Sequence, residues 1–226
     1  MEAEVFPDEK VRQAAQLFVP LRLDGEKEGR ELARRLQVTG FPATWVLTPD
    51  AYPALSIPGY VPSETLTQGM FEGLTRYQKG LDLEKKHRAN PDDLDTLIEL
   101  TKLWSDRGNL ERAEKLRLAL DKADPGDEKG WLPGIYTQLG IAYVQKEQYD
   151  RAIPLLKRSA KESVSTQDIV SSHFNLAVCY ALRREFKEAI PLVERVVALP
   201  DLTPDHRDRA EKLLTGIRQE MAGGKQ

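Results

Sequence analysis

Two stretches of the 226-residue chain decide its fold: LGIAYVQKEQYDRAI at residues 139–153 and LAVCYALRREFKEAI at residues 176–190. In each stretch a leucine, a small residue and an aromatic residue recur at helical spacing, and an alanine follows twelve positions after the small residue. Small residues let two helices approach closely where they cross, while the leucine and the aromatic ring fill the space on either side. Each stretch therefore predicts a hairpin of two packed helices.

A third and weaker copy of this pattern precedes the other two. Thr101, Trp104 and Ala113 take the positions of the small residue, the aromatic residue and the alanine, while Arg117 stands where an apolar residue is expected. The alanines of the three copies lie 39 and 37 residues apart, at Ala113, Ala152 and Ala189. A helical pair that recurs at such intervals indicates a repeat array.

The pattern resembles the tetratricopeptide repeat (TPR), whose period is about 34 residues. This resemblance implies an all-α TPR helical repeat array at residues 91–222, made of three helix hairpins and a C-terminal capping helix. The capping helix is expected at residues 204–221, after Thr203 as its N-cap. Residues 80–90 are expected to form a linker or a helix extension before the array.

The first third of the chain has a different pattern, in which short strands alternate with helices. Leu17 to Leu23 and Thr44 to Leu47 favour strands, and RELARRLQV at residues 30–38 between them has one apolar helical face. Three further elements are expected around this unit: a helix capped by Asp8, a return strand at residues 54–57, and a helix from the cap Ser63 to about Lys79.

These segments, together with VTGFPATWVL at residues 38–47 and IPGY at residues 57–60, resemble the C-terminal part of a thioredoxin-like domain. The resemblance implies an incomplete α/β thioredoxin-like domain at residues 1–79. In that family the proline matching Pro42, here preceded by Phe41, is typically cis and lies against the redox dithiol. The resemblance therefore implies a cis-proline platform at these two residues, beside a bound disulfide or peptide.

The CxxC motif of that family, and the strand that leads into it, have no counterpart in this sequence. Met1 aligns within the helix that follows the dithiol, so either the sequence starts past its own catalytic motif or the domain is degenerate. The missing strand would bury about five apolar side chains, at ~1.5–3 kcal/mol each. We therefore expect the neighbouring strands to close onto each other, or a second copy of the chain to fill the gap in a homodimer.

The composition argues against several classes of function. With 33 basic and 36 acidic residues the formal net charge is -3, which gives no broad positive field for nucleic acid. One cysteine and three scattered histidines offer neither an internal disulfide nor a zinc-site spacing, and we expect no cofactor. No apolar run reaches the ~18 residues of a membrane span, and the acidic N-terminus differs from a secretory signal. We expect a cytoplasmic protein that binds neither nucleic acid nor membranes.

The concave face of the repeat array is the main candidate site, because stacked first helices line it. The alignment places mostly apolar side chains there, without the lysine, asparagine and arginine of the carboxylate-clamp type. An apolar groove can bind an extended or helical peptide, unless the chain's own C-terminal helix or thioredoxin-like domain fills it. The predicted groove residues are Thr137, Ile141, Val144, Gln145, Phe174, Val178, Ala181 and Leu182.

Other reactive residue types have simpler interpretations. Cys179 is expected to be buried and inert, because no basic neighbour in sequence would lower its pKa. His173 stands at a bulky packing position of the repeat, and His87 lies in the charged stretch KKHRANP, which is expected to be a solvated turn. Paired aspartates fall at helix starts, where capping explains them without catalysis.

The sequence therefore predicts a protein–protein interaction module or scaffold, with the TPR groove and a redox-inactive thioredoxin-like platform as its binding surfaces. Its partner is expected to be a protein or peptide. The alternative, from another class, is a fragment of a thiol–disulfide oxidoreductase whose CxxC lies upstream of Met1. An in-frame CxxC just before the start codon would favour that alternative.

Overall fold

The computed structural model describes residues 1, 3–128, 130–163 and 165–223, and the chain divides into two units at Asn90 and Pro91. Unit 1 contains α1 (Glu9–Ala15), α2 (Arg30–Arg35), β1 (Ala43–Leu47), β2 (Pro53–Pro58) and α3 (Ser63–Ala89). Unit 2 contains α4 (Leu94–Asp106), α5 (Leu110–Ala123), α6 (Leu132–Gln145), α7 (Tyr149–Glu162), α8 (Thr166–Leu182), α9 (Phe186–Val197) and α10 (Pro204–Gly223).

Unit 1 is built on an antiparallel pair of strands, in which Thr44 of β1 pairs with Ile57 of β2. The carboxylate of Asp8 accepts a hydrogen bond from the backbone N–H of Lys10, which confirms the expected cap of α1. Helices α1 and α3 pack with these strands around a small apolar core. Its buried members are Val5, Val11, Ile57 and Leu66.

Two buried glycines, Gly69 and Gly73, set how closely α3 approaches the strands. A Cβ at Gly69 would come within 2.5 Å of Ile57 Cδ1, and a Cβ at Gly73 would come within 2.7 Å of Val46 Cβ. They lie four residues apart and so share one face of the helix. This face therefore lies directly against the strands, with no side chain of its own between.

The prediction of a strand at Leu17 to Leu23 is wrong. The described segment has no strand pairing, and the strands of this unit form a two-stranded sheet of β1 and β2. Val19 is 95% exposed and Leu21 is 75% exposed. The expected closure of neighbouring strands onto each other within the chain is therefore also wrong. The physical reason is that a strand needs a neighbour to satisfy its backbone groups, and the nearby chain supplies none.

Helix α3 differs from the prediction at its start, and it runs on through residues 80–89, where the sequence predicts a linker or a helix extension. It begins at Ser63 itself, with Pro62 at the N-cap position, so Ser63 is the first helical residue rather than the cap. It continues to Ala89, ten residues beyond Lys79. His87 therefore lies in a helix and not in a turn. The charged residues of this last part face solvent while Leu83 remains buried, which is the pattern of an ordinary amphipathic helix.

Unit 2 consists of three helix pairs, α4 with α5, α6 with α7 and α8 with α9, and α10 packs on α9 and α8. The alanines that align the three copies are completely buried: Ala113, Ala152 and Ala189. A Cβ at Gly140 would lie 2.7 Å from Leu156 Cγ, so this glycine marks a close crossing of α6 and α7. The repeat positions read from the sequence are thus the packing positions of the hairpins.

Arg117, which breaks the apolar pattern of the first copy, is buried in a network of charges. Its guanidinium donates to both carboxylate oxygens of Glu114 and to Asp121, at 2.5–3.1 Å. Asp121 also accepts from the Tyr136 hydroxyl and from Arg158 of α7. Burial, together with the bond to Asp121, raises the pKa of Tyr136. The network therefore joins α5, α6 and α7 in place of an apolar contact.

Replacing Gly73 with alanine should destabilise unit 1 by about 1–3 kcal/mol. The backbone fixes the position of the added methyl group, and at that position it would overlap the side chain of Val46. Gly216→Ala in α10 is the matched control, since a Cβ there meets no atom within 4 Å and should instead stabilise its helix by up to about 1 kcal/mol. Hydrogen–deuterium exchange of the β1 amides measures the first effect in isolation. Equal exchange in the wild type and Gly73→Ala would contradict it.

Candidate functional site

The first helices of the three hairpins line an open cavity of about 470 Å³ within unit 2. Helix α6 forms its floor, and α4 and α8 form its two sides. The spacing along α6 explains the shape, since the lining positions 134, 138, 141, 142 and 145 follow one face of a helix. The cavity is lined by Ser105, Asp106, Gly134, Thr137, Gln138, Ile141, Ala142, Gln145, Asp168 and Ser171.

Gln138 joins the floor of the cavity to its α4 side. Its amide nitrogen lies 2.6 Å from a carboxylate oxygen of Asp106 and 3.4 Å from the backbone carbonyl of Lys102. Asp106 is the last residue of α4. The amide thus holds a carboxylate at the cavity edge, close to the end of a helix.

The α8 side of the cavity begins at a helix cap. Ser165 accepts a hydrogen bond from the backbone N–H of Asp168, and its hydroxyl lies 2.5 Å from the Asp168 carboxylate. This arrangement fixes the first turn of α8, so that Asp168 and Ser171 lie at the cavity. The two sides therefore each present one carboxylate.

Three of the predicted groove residues line this cavity, namely Thr137, Ile141 and Gln145. Thr137 is buried rather than exposed as the alignment suggested. Its hydroxyl lies 2.6 Å from Ser159 Oγ, which donates to the carbonyl of Pro133. It therefore also serves the packing of α6 on α7.

The other predicted groove residues lie outside the cavity lining. Val144, Val178 and Ala181 are half-buried, and Leu182 is 57% exposed. Phe174 is half-buried, and the Arg209 guanidinium of α10 lies 5.4 Å from its ring centroid. The C-terminal helix thus reaches this part of α8.

The cavity lining combines apolar and polar side chains. Ile141 and Ala142 are apolar, and the polar side chains that sequence reasoning missed include Asp106, Gln138 and Asp168. The signal was present, because Gln138 lies on the same helical face as Ile141 and Gln145. Continuing that face toward the start of α6 would have found it.

Phe41 and Pro42 lie in unit 1, just before β1. The peptide bond between them is cis, and the Pro42 carbonyl accepts a hydrogen bond from the backbone N–H of Gly59 at 2.8 Å. Phe41 is 59% exposed, and its ring covers Gly25, where a Cβ would come within 2.2 Å of it. Both residues are accessible to a partner molecule.

Comparison with family models agrees with this division. A model of the thioredoxin-like domain matches residues 1–72, and a model of the tetratricopeptide repeat matches residues 137–206. The chain joins a thioredoxin-like domain to TPR hairpins. Both resemblances that the sequence indicated are confirmed. The fold class, a thioredoxin-like α/β part followed by an all-α repeat array, is confirmed as well. TPR arrays offer extended concave surfaces for binding, so this part of the chain is a protein-interaction module.

Two solved structures resemble the chain at low identity. A crystal structure of MamA protein is 20% identical, covers 69% of this chain and 85% of that chain, and has a TM-score of 0.46. A second crystal structure of MamA is also 20% identical, covers 75% of this chain and all of that chain, and has a TM-score of 0.47. No curated protein matches the chain.

Outside the cavity, a reactive cysteine, a metal site or a membrane span would indicate a different kind of function. Cys179 is completely buried in α8, and burial raises the pKa of its thiol to about 11. Across the residues that the structure describes, no group of three histidine, cysteine or acidic side chains could hold a metal ion. None of the helices within the described ranges is long and apolar enough to cross a membrane.

His173 is buried in α8, where its Nδ1 lies 3.0 Å from the Ile169 carbonyl oxygen. The TPR hairpin encloses the ring at the position predicted for packing. Burial, assisted by the positive charge of Arg195, lowers the pKa of His173 below its ordinary value of 6.5. The imidazole is therefore neutral in the folded chain at pH 7, and Nδ1 donates to the carbonyl.

The stability of the TPR array should fall as the pH drops below about 6.5. In that range His173 is protonated in the unfolded chain but remains neutral in the folded chain. The free energy of unfolding therefore decreases by up to ~1.4 kcal/mol for each unit by which the pH falls. Urea unfolding of the wild type and His173→Gln, at pH 8 and at pH 5, measures this term. The variant should lose less stability between the two values, and equal losses would contradict the assignment to His173.

Proposed function

We propose that the TPR unit binds an extended peptide segment of a partner protein in its concave cavity, and that the protein acts as a scaffold. The observation that supports this proposal is the open cavity between α4, α6 and α8. Its walls are side chains of three successive first helices, so a ligand would contact all three hairpins at once. Such a ligand would gain contacts that a single hairpin does not offer.

The chemistry of the lining suits a peptide backbone. Ser171 presents a hydroxyl group that can bond with peptide N–H and C=O groups, while Ile141 and Ala142 supply an apolar floor. Small-molecule sites are mostly enclosed and apolar, whereas this cavity is open and lined by both apolar and polar side chains. The mixture therefore favours a segment of chain over a compact organic ligand.

Filling the cavity should abolish this binding. Ala142→Trp places an uncharged ring on the floor without disturbing the buried face of α6, so the affinity for a bound peptide should fall at least about tenfold, the loss of one well-packed contact of ~1.4 kcal/mol. Peptides selected on the immobilised chain from a random-peptide phage library provide the probes, and fluorescence anisotropy measures their affinities.

Ala123→Trp is the matched control, because Ala123 is an exposed alanine at the end of α5 and outside the cavity lining. It should bind the selected peptides as the wild type does. Unchanged affinity in Ala142→Trp would place the peptides elsewhere and overturn the proposed function.

We also propose that unit 1 provides a second binding surface, and that its segment at residues 17–23 pairs with the same segment of a second copy in a homodimer. Exposed apolar side chains at Val19 and Leu21 support this. In an antiparallel pairing centred on Leu21, Val19 would face Leu23, and Pro20 would face Arg22, so no like charges would oppose each other. If the two Leu21 residues form a hydrogen-bonded pair, Pro20, which lacks an N–H, turns its nitrogen away from the new ladder.

The oligomeric state tests this pairing. Leu21→Lys puts two lysines opposite each other at the centre of the pairing, and should convert a dimer to a monomer in light scattering coupled to size exclusion. Leu118→Lys is the control, since Leu118 is an exposed leucine of α5 and should leave the dimer intact. A wild-type chain that stays monomeric at every concentration would contradict the proposal.

The oxidoreductase alternative rests on the thioredoxin-like match and on the accessible Phe41 and Pro42, which would then form the platform beside a substrate disulfide. The present sequence holds one cysteine, and Cys179 is buried in the other unit. That alternative therefore concerns a longer form with a CxxC before Met1, for which insulin reduction is the direct assay.

A further inference from the structure

We propose that the concave cavity selects a peptide segment that presents a lysine or arginine side chain, with the cation beside Asp106 and Asp168. This inference rests on the proposed function and adds the charge of the ligand. Both carboxylates line the cavity, from opposite sides. A cationic side chain beside either carboxylate would form charge-assisted hydrogen bonds, which are roughly twice as strong as neutral ones.

The charges along the lining helices have a consistent sign. On α4 the partly or fully exposed positions 95, 99, 102 and 106 follow one helical face and carry three acids and one base: Asp95, Glu99, Lys102 and Asp106. The α6 floor adds no charged side chain, and α8 adds Asp168. Acids therefore outnumber bases around the cavity, and an anionic segment would be repelled.

The position of Asp106 strengthens this argument. The C-terminal end of a helix carries a partial negative charge, and Asp106 is the last residue of α4. The carboxylate and the helix end therefore repel each other, and the bond from Gln138 compensates with a neutral donor. A bound cation would be attracted to both the carboxylate and the helix end. A cationic side chain should therefore bind more tightly there than a neutral one.

Positive charge also lies outside the cavity, on the α10 side of α8. Arg209 lies over Phe174 on the α10 side of α8, beyond the cavity lining. The first helices thus present negative charge at α4 and at the start of α8, and positive charge lies toward α10. A segment with a basic residue at one end of its contact would have a preferred direction along the concave face.

The library selection described above tests this inference with two further variants. The selected peptides should be enriched in lysine and arginine over the unselected library, and their affinity should fall as salt is raised. Asp106→Asn keeps an acceptor for Gln138 but removes the charge, and should weaken binding about fivefold. Asp201→Asn makes the same change in an exposed loop outside the lining, and should have no effect.

The outcomes separate this inference from the function on which it rests. Peptides that lose affinity in Ala142→Trp, but are neutral or acidic or bind Asp106→Asn as tightly as the wild type, would overturn the charge selectivity and leave groove binding in place. Peptides that bind Ala142→Trp unchanged, or a selection that yields no peptide, would overturn both.

Discussion

The close approach of paired helices at small residues is the constraint on which the TPR unit depends. Gly140 leaves no room for a methyl group against Leu156, and Ala152 is completely buried on the facing helix. Because each hairpin is held at this distance, successive first helices stack with a regular offset and their outer faces form one continuous surface. The cavity at α6 is therefore a consequence of packing on the opposite face of the same helix.

Thr137 shows how the two faces are coupled. Its hydroxyl is engaged with Ser159 in the hairpin interior, yet the residue also borders the cavity. The ion network around Arg117 performs a similar task one hairpin earlier, since Asp121 bonds to Tyr136 at the start of the floor helix. A buried charge is tolerated when every partner is present. Here the partners come from three helices, so the network fixes α6 between α5 and α7.

The sequence was sufficient for the hairpins because their signal is local. Leu139, Gly140 and Tyr143 lie within five residues of one another, and the packing that they specify involves the next helix in the chain. The two carboxylates of the cavity were missed because Asp106 and Asp168 come from helices on either side of the predicted floor. A repeat alignment places each residue on a face of its own helix, but it does not show which faces meet around an open space.

The prediction of a strand at Leu17 to Leu23 failed because a strand depends on non-local contacts. The alternating apolar residues of this segment have the local pattern of a strand, but a strand is completed by hydrogen bonds to a neighbour, and propensity alone does not supply one. In unit 1 the strands that do form, β1 and β2, are consecutive in the chain and close through a short turn. A segment that must find a more distant partner stays outside the sheet and exposed. The physical cause that spoils the prediction also leaves the apolar side chains of Val19 and Leu21 exposed, and the proposed pairing of two copies rests on that exposure.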